Sequence, residues 1–175
     1  MSPHICPKKF YVQPQDADAI RNDGFTNVIP IEEIKTIDGI SIYRTTGHHG
    51  FGQIGQMMGP VSGYVLKAEG FPTVYIMGDC RWEACIRDTV ERFNPDYIVV
   101  NSGGAIFPEF SKTDGPIIPD ENEVMQILDE LPSHIKLIAV HMDAIDHCQT
   151  TRAILRNEAT HHEADMSRLI IPEDG

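Results

Sequence analysis

Three separate stretches of this chain place a metal-capable side chain at the end of an apolar, β-branched run. These are Thr45-Thr46-Gly47-His48-His49-Gly50, Ile76-Met77-Gly78-Asp79 and Ile138-Ala139-Val140-His141. Imidazole and carboxylate are donors for Zn²⁺ and similar ions, and strand ends project such groups from a rigid sheet into a shared rim. In extended backbone, neighbours point to opposite sides, so only one of His48 and His49 faces a given ion. Asp79 follows a run whose apolar character implies burial, and a carboxylate there must be paired, hydrogen-bonded or metal-bound to offset desolvation. Its competing role is to cap a helix beginning near Trp82, since Asp is a good N-cap.

His141 is followed six positions later by His147. A six-residue step turns about 240° on a continuous helix, so the two converge only if the segment bends. His147 therefore orients a ligand, touches substrate, or begins the next helix. Asn101-Ser102-Gly103-Gly104 after another apolar run offers an amide donor and acceptor beside backbone that a ligand can approach, or is a simple tight loop. Cys80 is adjacent to Asp79, though a packed thiol is its plainer role, as it is for Cys6, Cys85 and Cys148. His161-His162-Glu163 lacks the HExxH order and reads as a solvated helix end.

Elements to hold these groups are legible in the periodicity. Runs at 10–12, 27–29, 40–45, 61–66, 73–77, 97–100, 137–140 and 169–171 read as strands. Trp82, Cys85, Ile86, Thr89, Val90 and Phe93 recur at helical spacing, as do Val124, Ile127, Leu128 and Leu131. Asp120 with Glu123 three residues on is a capping pattern, and Pro132 closes that helix. Strand followed by helix from residue 73 onward is an α/β rhythm. Residues 47–60, with five glycines, read as a long loop between two strands. Within it Gly50-Phe51-Gly52-Gln53-Ile54-Gly55 matches GxGxxG, but with Gly59-Pro60 so close the reading leaves no helix to receive a pyrophosphate.

With 175 residues and 41% hydrophobic composition, the chain is sized for one domain and one core. A formal charge of −12 disfavours phosphate backbones and anionic lipid, so neither nucleic acid nor membrane is an expected partner. No apolar run reaches the roughly 20 residues of a membrane span, the start lacks a signal-peptide core, and the four cysteines form no CxxC or dense framework. These features predict a cytoplasmic protein acting on a small molecule.

The stretches TTGHHGFGQIGQMMGPVSGYVL, YIMGDCRW, PDYIVVNSGGAIF and IAVHMDAIDHCQTTR, in that order, resemble the metallo-β-lactamase-fold hydrolases, in particular the L-ascorbate-6-phosphate lactonase-like subgroup. The resemblance implies an αββα sandwich, of which this chain holds mainly the carboxyl-terminal half. It implies a divalent metal, zinc or manganese, with ligands His49, Asp79 and His141. Catalytic roles fall to Asp79 and His147, and substrate contacts to His48 and Asn101. The implied reaction is attack of metal-held hydroxide on a lactone, ester or phosphoester. The family's HxHxDH motif has no counterpart here, and His4 alone does not replace it. The expectation is therefore an N-terminally incomplete domain whose uncovered sheet makes it homo-oligomeric, with a non-catalytic binding module of the same fold as the alternative.

Overall fold

The computed structural model describes residues 9–109, 114–143 and 145–173; His4 and Cys6 lie outside them. The elements in chain order are β1 (Phe10–Val12), a 3-10 turn (Pro14–Asp16), α1 (Ala17–Asn22), β2 (Val28–Pro30), β3 (Ile34–Ile37), β4 (Ile40–His48), α2 (Gly52–Met58) and β5 (Pro60–Lys67). There follow β6 (Val74–Ile76), α3 (Ala84–Phe93), β7 (Tyr97–Asn101), α4 (Glu121–Glu130), β8 (Lys136–Val140), α5 (Arg152–His161) and β9 (Leu169–Ile170). β1 and β2 pair in parallel as a small separate ribbon. The other strands form one seven-stranded sheet in sequence order from β3 to β9.

The direction of each strand is what makes a site possible. Pairing is antiparallel from β3 through β6 and parallel from β6 through β9. Two antiparallel steps return β4 to the direction of β6, so the carboxyl ends of β4, β6, β7 and β8 share one rim. In open sheets with parallel strands, that rim is where ligands bind.

The pleat gives the sheet two unlike faces. The cross-strand row Val65, Tyr75, Ile98, Leu137 and Leu169 is buried to within 3% of full enclosure and joins Ile86 and Val90 of α3, Val124, Ile127 and Leu128 of α4, and Leu155 of α5 in one core. The alternate row Tyr64, Ile76, Val99, Ile138 and Ile170 is equally apolar but half-buried or exposed. Helices α3 and α4 lie where the helical periodicity predicts them. Asp120 caps α4 by accepting the Glu123 amide at 2.9 Å, and the helix ends before Pro132.

Three features correct the sequence reading. β4 runs on through Gly47 and His48, and β3, exposed and short, carries too little periodicity to read. Residues 52–58 form a helix, where a continuous loop was expected. The carboxylate of Asp114 accepts the Ile54 amide at 2.9 Å, so an acidic group already occupies the position at this helix start that a pyrophosphate would need. β5 then returns antiparallel to β4, which also departs from a dinucleotide-binding crossover.

Candidate metal centre

His48 and His49 part company at the end of β4. Tyr43, Thr45 and Gly47 face inward, Thr45 reaching the Tyr75 hydroxyl at 3.4 Å. Gly47 must be glycine because a Cβ there would lie 2.5 Å from the Cys80 sulfur. His48 is therefore on the outer face and exposed, and Glu83 claims it. The Glu83 carboxylate accepts the His48 amide at 2.8 Å and lies 2.9 Å from its Nδ1. Together with Phe51, Gln56 and Glu83, His48 lines an open cavity of about 630 Å³. His49 is half-buried on the other side.

Asp79, His141 and His147 all act on the charge of His49. Burial lowers its pKa from the ordinary 6.5, Asp79 raises it, and His141 and His147 lower it further. The structure thus brings Asp79, His49 and His141, from just past the ends of β6, β4 and β8, and His147, from the loop after β8, close enough to act on one another's charge. Asp79 is not a helix cap: Glu83 stands at the N-cap of α3. Asp79 accepts instead from the Asn101 amide at 2.6 Å through Oδ1, which leaves Oδ2 without that commitment. Cys80, pushed up to about 12 chiefly by burial, is a packed thiol.

The convergence of His141 and His147 needs the bend that a helix cannot give. His141 and Asp143 both take left-handed backbone, with φ of 66° and 62°. Such angles are uncommon outside glycine and persist where surrounding contacts over-determine them. Here the contacts are with the loop after β7. Ser102 donates its amide to the Val140 carbonyl, Ile106 to that of His147, and Thr150 to that of Gly103, each at 2.9–3.0 Å. The Phe107 ring stacks on His147 with centroids 5.3 Å apart, and the Cys148 sulfur lies 3.8 Å from His141 Nδ1. Sequence reasoning missed Phe107, Glu83 and Cys148 as neighbours of these groups. Only Cys148, adjacent to His147, had a local signal.

Among the described residues no three His, Cys, Asp or Glu side chains close into a ready cage. The donor set nonetheless suits a divalent cation in kind: imidazoles beside a carboxylate with one oxygen to spare. Helix α5 ends at His161, and His162 pairs with Asp129 at 2.8 Å on the surface, far from this chemistry in the fold as in the sequence reading.

The architecture and its near neighbours define the class: a mixed α/β chain of the metallo-β-lactamase fold, whose structural neighbours include proteins named as hydrolases. It is similar to a possible metal-dependent hydrolase from Veillonella parvula, at 30% identity and a TM-score of 0.85, over 94% of this chain and 64% of that one. It is also similar to an isothiocyanate hydrolase from Delia radicum gut bacteria, at 33% identity and a TM-score of 0.86, over 97% of this chain and 66% of that one. The metallo-β-lactamase-fold protein YhfI of Bacillus subtilis, 14% identical with a TM-score of 0.62 over 94% of this chain and 62% of that one, shares the fold alone. No family model matches the chain. The UPF0173 protein YddR of Bacillus subtilis is 32% identical over 98% of this chain and 67% of its own length, and the chain belongs to the UPF0173 family. It spans about two thirds of the length of the relatives it matches. No helix among the described residues is long and apolar enough to cross a membrane.

Proposed function

We propose that this chain is a metal-dependent hydrolase of small molecules, with a divalent ion, zinc or manganese, held by His49, Asp79 and His141. The observation that carries this is the gathering of Asp79, His49, His141 and His147 in one electrostatic field at the strand-end rim. Burial keeps His49 in the neutral form whose lone pair can be donated. Asn101 orients Asp79 by holding one of its oxygens, so Asn101 serves the carboxylate as well as facing substrate. When bound, the ion supplies Lewis-acid polarisation of the scissile group and activation of water. His147, held flat against Phe107, faces the reacting groups and is suited to moving a proton at its ring nitrogen. His48, held by Glu83 beside the open cavity, contacts the part of the substrate remote from the reaction.

The substrate class is an ester, phosphoester or lactone, the last resting on the resemblance to L-ascorbate-6-phosphate lactonase-like proteins. A second reading, hydrolysis at the electrophilic carbon of an isothiocyanate, is favoured by the relative of that activity at 33% identity. We place the protein in the cytoplasm as a single domain. Equilibrium dialysis against Zn²⁺ or Mn²⁺ tests the metal reading: the wild type takes up metal and Asp79→Ala does not. Equal metal content in the two would refute the assignment. A chain that binds metal but turns over no lactone, ester, phosphoester or isothiocyanate would favour the binding-module alternative.

A further inference from the structure

The loop carrying Asp79 is anchored by a buried cation that hydrolysis does not use. The side chain of Arg81 is 15% exposed and that of Glu123, in the first turn of α4, 9%. The guanidinium donates through Nε to Glu123 Oε2 at 2.6 Å, through a second nitrogen to the same carboxylate, and through the third to the Pro116 carbonyl. The other Glu123 oxygen accepts the Trp82 amide at 2.6 Å. Arg81 also donates its backbone amide to the His48 carbonyl at 3.0 Å, and its guanidinium lies 5.2 Å from the centre of the Phe51 ring. One ion pair thus ties the turn bearing His48 and His49, the segment following Asp79, Pro116 and helix α4.

Burying two charges costs desolvation that their attraction roughly offsets, so such a pair adds little net stability, whereas it does fix geometry. We propose that Arg81, held by Glu123, is a positioning residue that sets the separation of His49 from Asp79. The inference rests on the reading of those two residues as metal ligands. The planar fork donates to Glu123 through two nitrogens and to Pro116 through the third, which fixes the backbone whose amide holds the His48 carbonyl, and lysine cannot reproduce that fork.

The test compares wild type, Arg81→Met, Arg81→Lys and the double variant Arg81→Met with Glu123→Met. Three quantities are read: Mn²⁺ and Zn²⁺ affinity, melting temperature, and metal-free amide exchange at His48, Ile54 and Gly55. Those amides donate to Glu83, Asp114 and the Phe51 carbonyl. Arg81→Met should lose roughly tenfold to a hundredfold in metal affinity, as supporting partners of metal ligands do, and Arg81→Lys should not restore it. The double variant, with no charge left unpaired, should regain the wild-type melting temperature while metal stays weakly bound and the His48 amide exchanges roughly tenfold faster. Wild-type metal affinity in the double variant would overturn the proposal. So would an unchanged exchange rate at His48, a readout that decides the positioning role even if the wild type binds no metal and the metal reading itself fails.

Discussion

Replacing Gly103 by alanine should break the bend that brings His141 to the rim. An added Cβ would lie 2.4 Å from the His141 carbonyl oxygen and 2.7 Å from the Cys148 sulfur. Ordinary carbon-to-oxygen contact begins near 3.3 Å, so the carbonyl would have to retreat by roughly 0.9 Å. It has little room, because His141 is held at φ 66° and the flanking Ser102 and Thr150 amides hydrogen-bond across the same two loops. Overpacking of this kind costs about 1–3 kcal/mol, and loss of the Thr150 amide's bond to Gly103 about 1 more. A total of about 2–4 kcal/mol corresponds to a fall in melting temperature of roughly 4–16 °C for a domain of this size. Metal uptake should fall with it, since His141 and Cys148 both move. Gly70→Ala is the comparison: its methyl meets nothing within 4 Å, but φ is 74°. That variant should cost only the left-handed strain, on the order of 1–2 kcal/mol, and leave metal uptake intact. Thermal unfolding and equilibrium dialysis of both proteins decide the matter. Gly103→Ala melting with the wild type and binding as much metal would refute the steric argument.

In the same dialysis assay His49→Ala should lose more metal than His48→Ala, whose ring is committed to Glu83 on the other side of the strand; the reverse order would mean the pair is assigned the wrong way round. Because the folded pKa of His49 lies below 6.5, the stability it contributes is whole above pH 6.5 and is lost as pH falls through the folded value. The drop in melting temperature between pH 7.5 and pH 5 should therefore be smaller in His49→Gln than in wild type, and a larger drop would contradict the burial argument. The apolar row Tyr64, Ile76, Val99, Ile138 and Ile170 should drive self-association of the 175-residue chain, read by light scattering; a stable monomer at high concentration would show that this half-exposed face is tolerated.

Local patterning carried the elements. Helical spacing of Ile86, Thr89 and Val90 and of Val124, Ile127 and Leu128 placed α3 and α4, and β-branched runs placed most strands, because burying one face imposes its period on the sequence. It also put His49, Asp79, Asn101 and His141 at or just past strand ends, which is most of the candidate site. Pairing direction, partner choice and forced backbone angles were not in the sequence pattern. That β4 runs the same way as β6 depends on two successive antiparallel pairings. That Asn101 meets Asp79, that Glu83 takes His48, and that Arg81 reaches Glu123 are contacts between residues 22 to 42 apart, settled only when the sheet closes. The left-handed angles at His141 and Asp143, which let His147 join the site, oppose the residues' own preference and are sustained by the loop after β7. The chain thus encoded which groups stand at the rim, and tertiary packing decided which of them face one another.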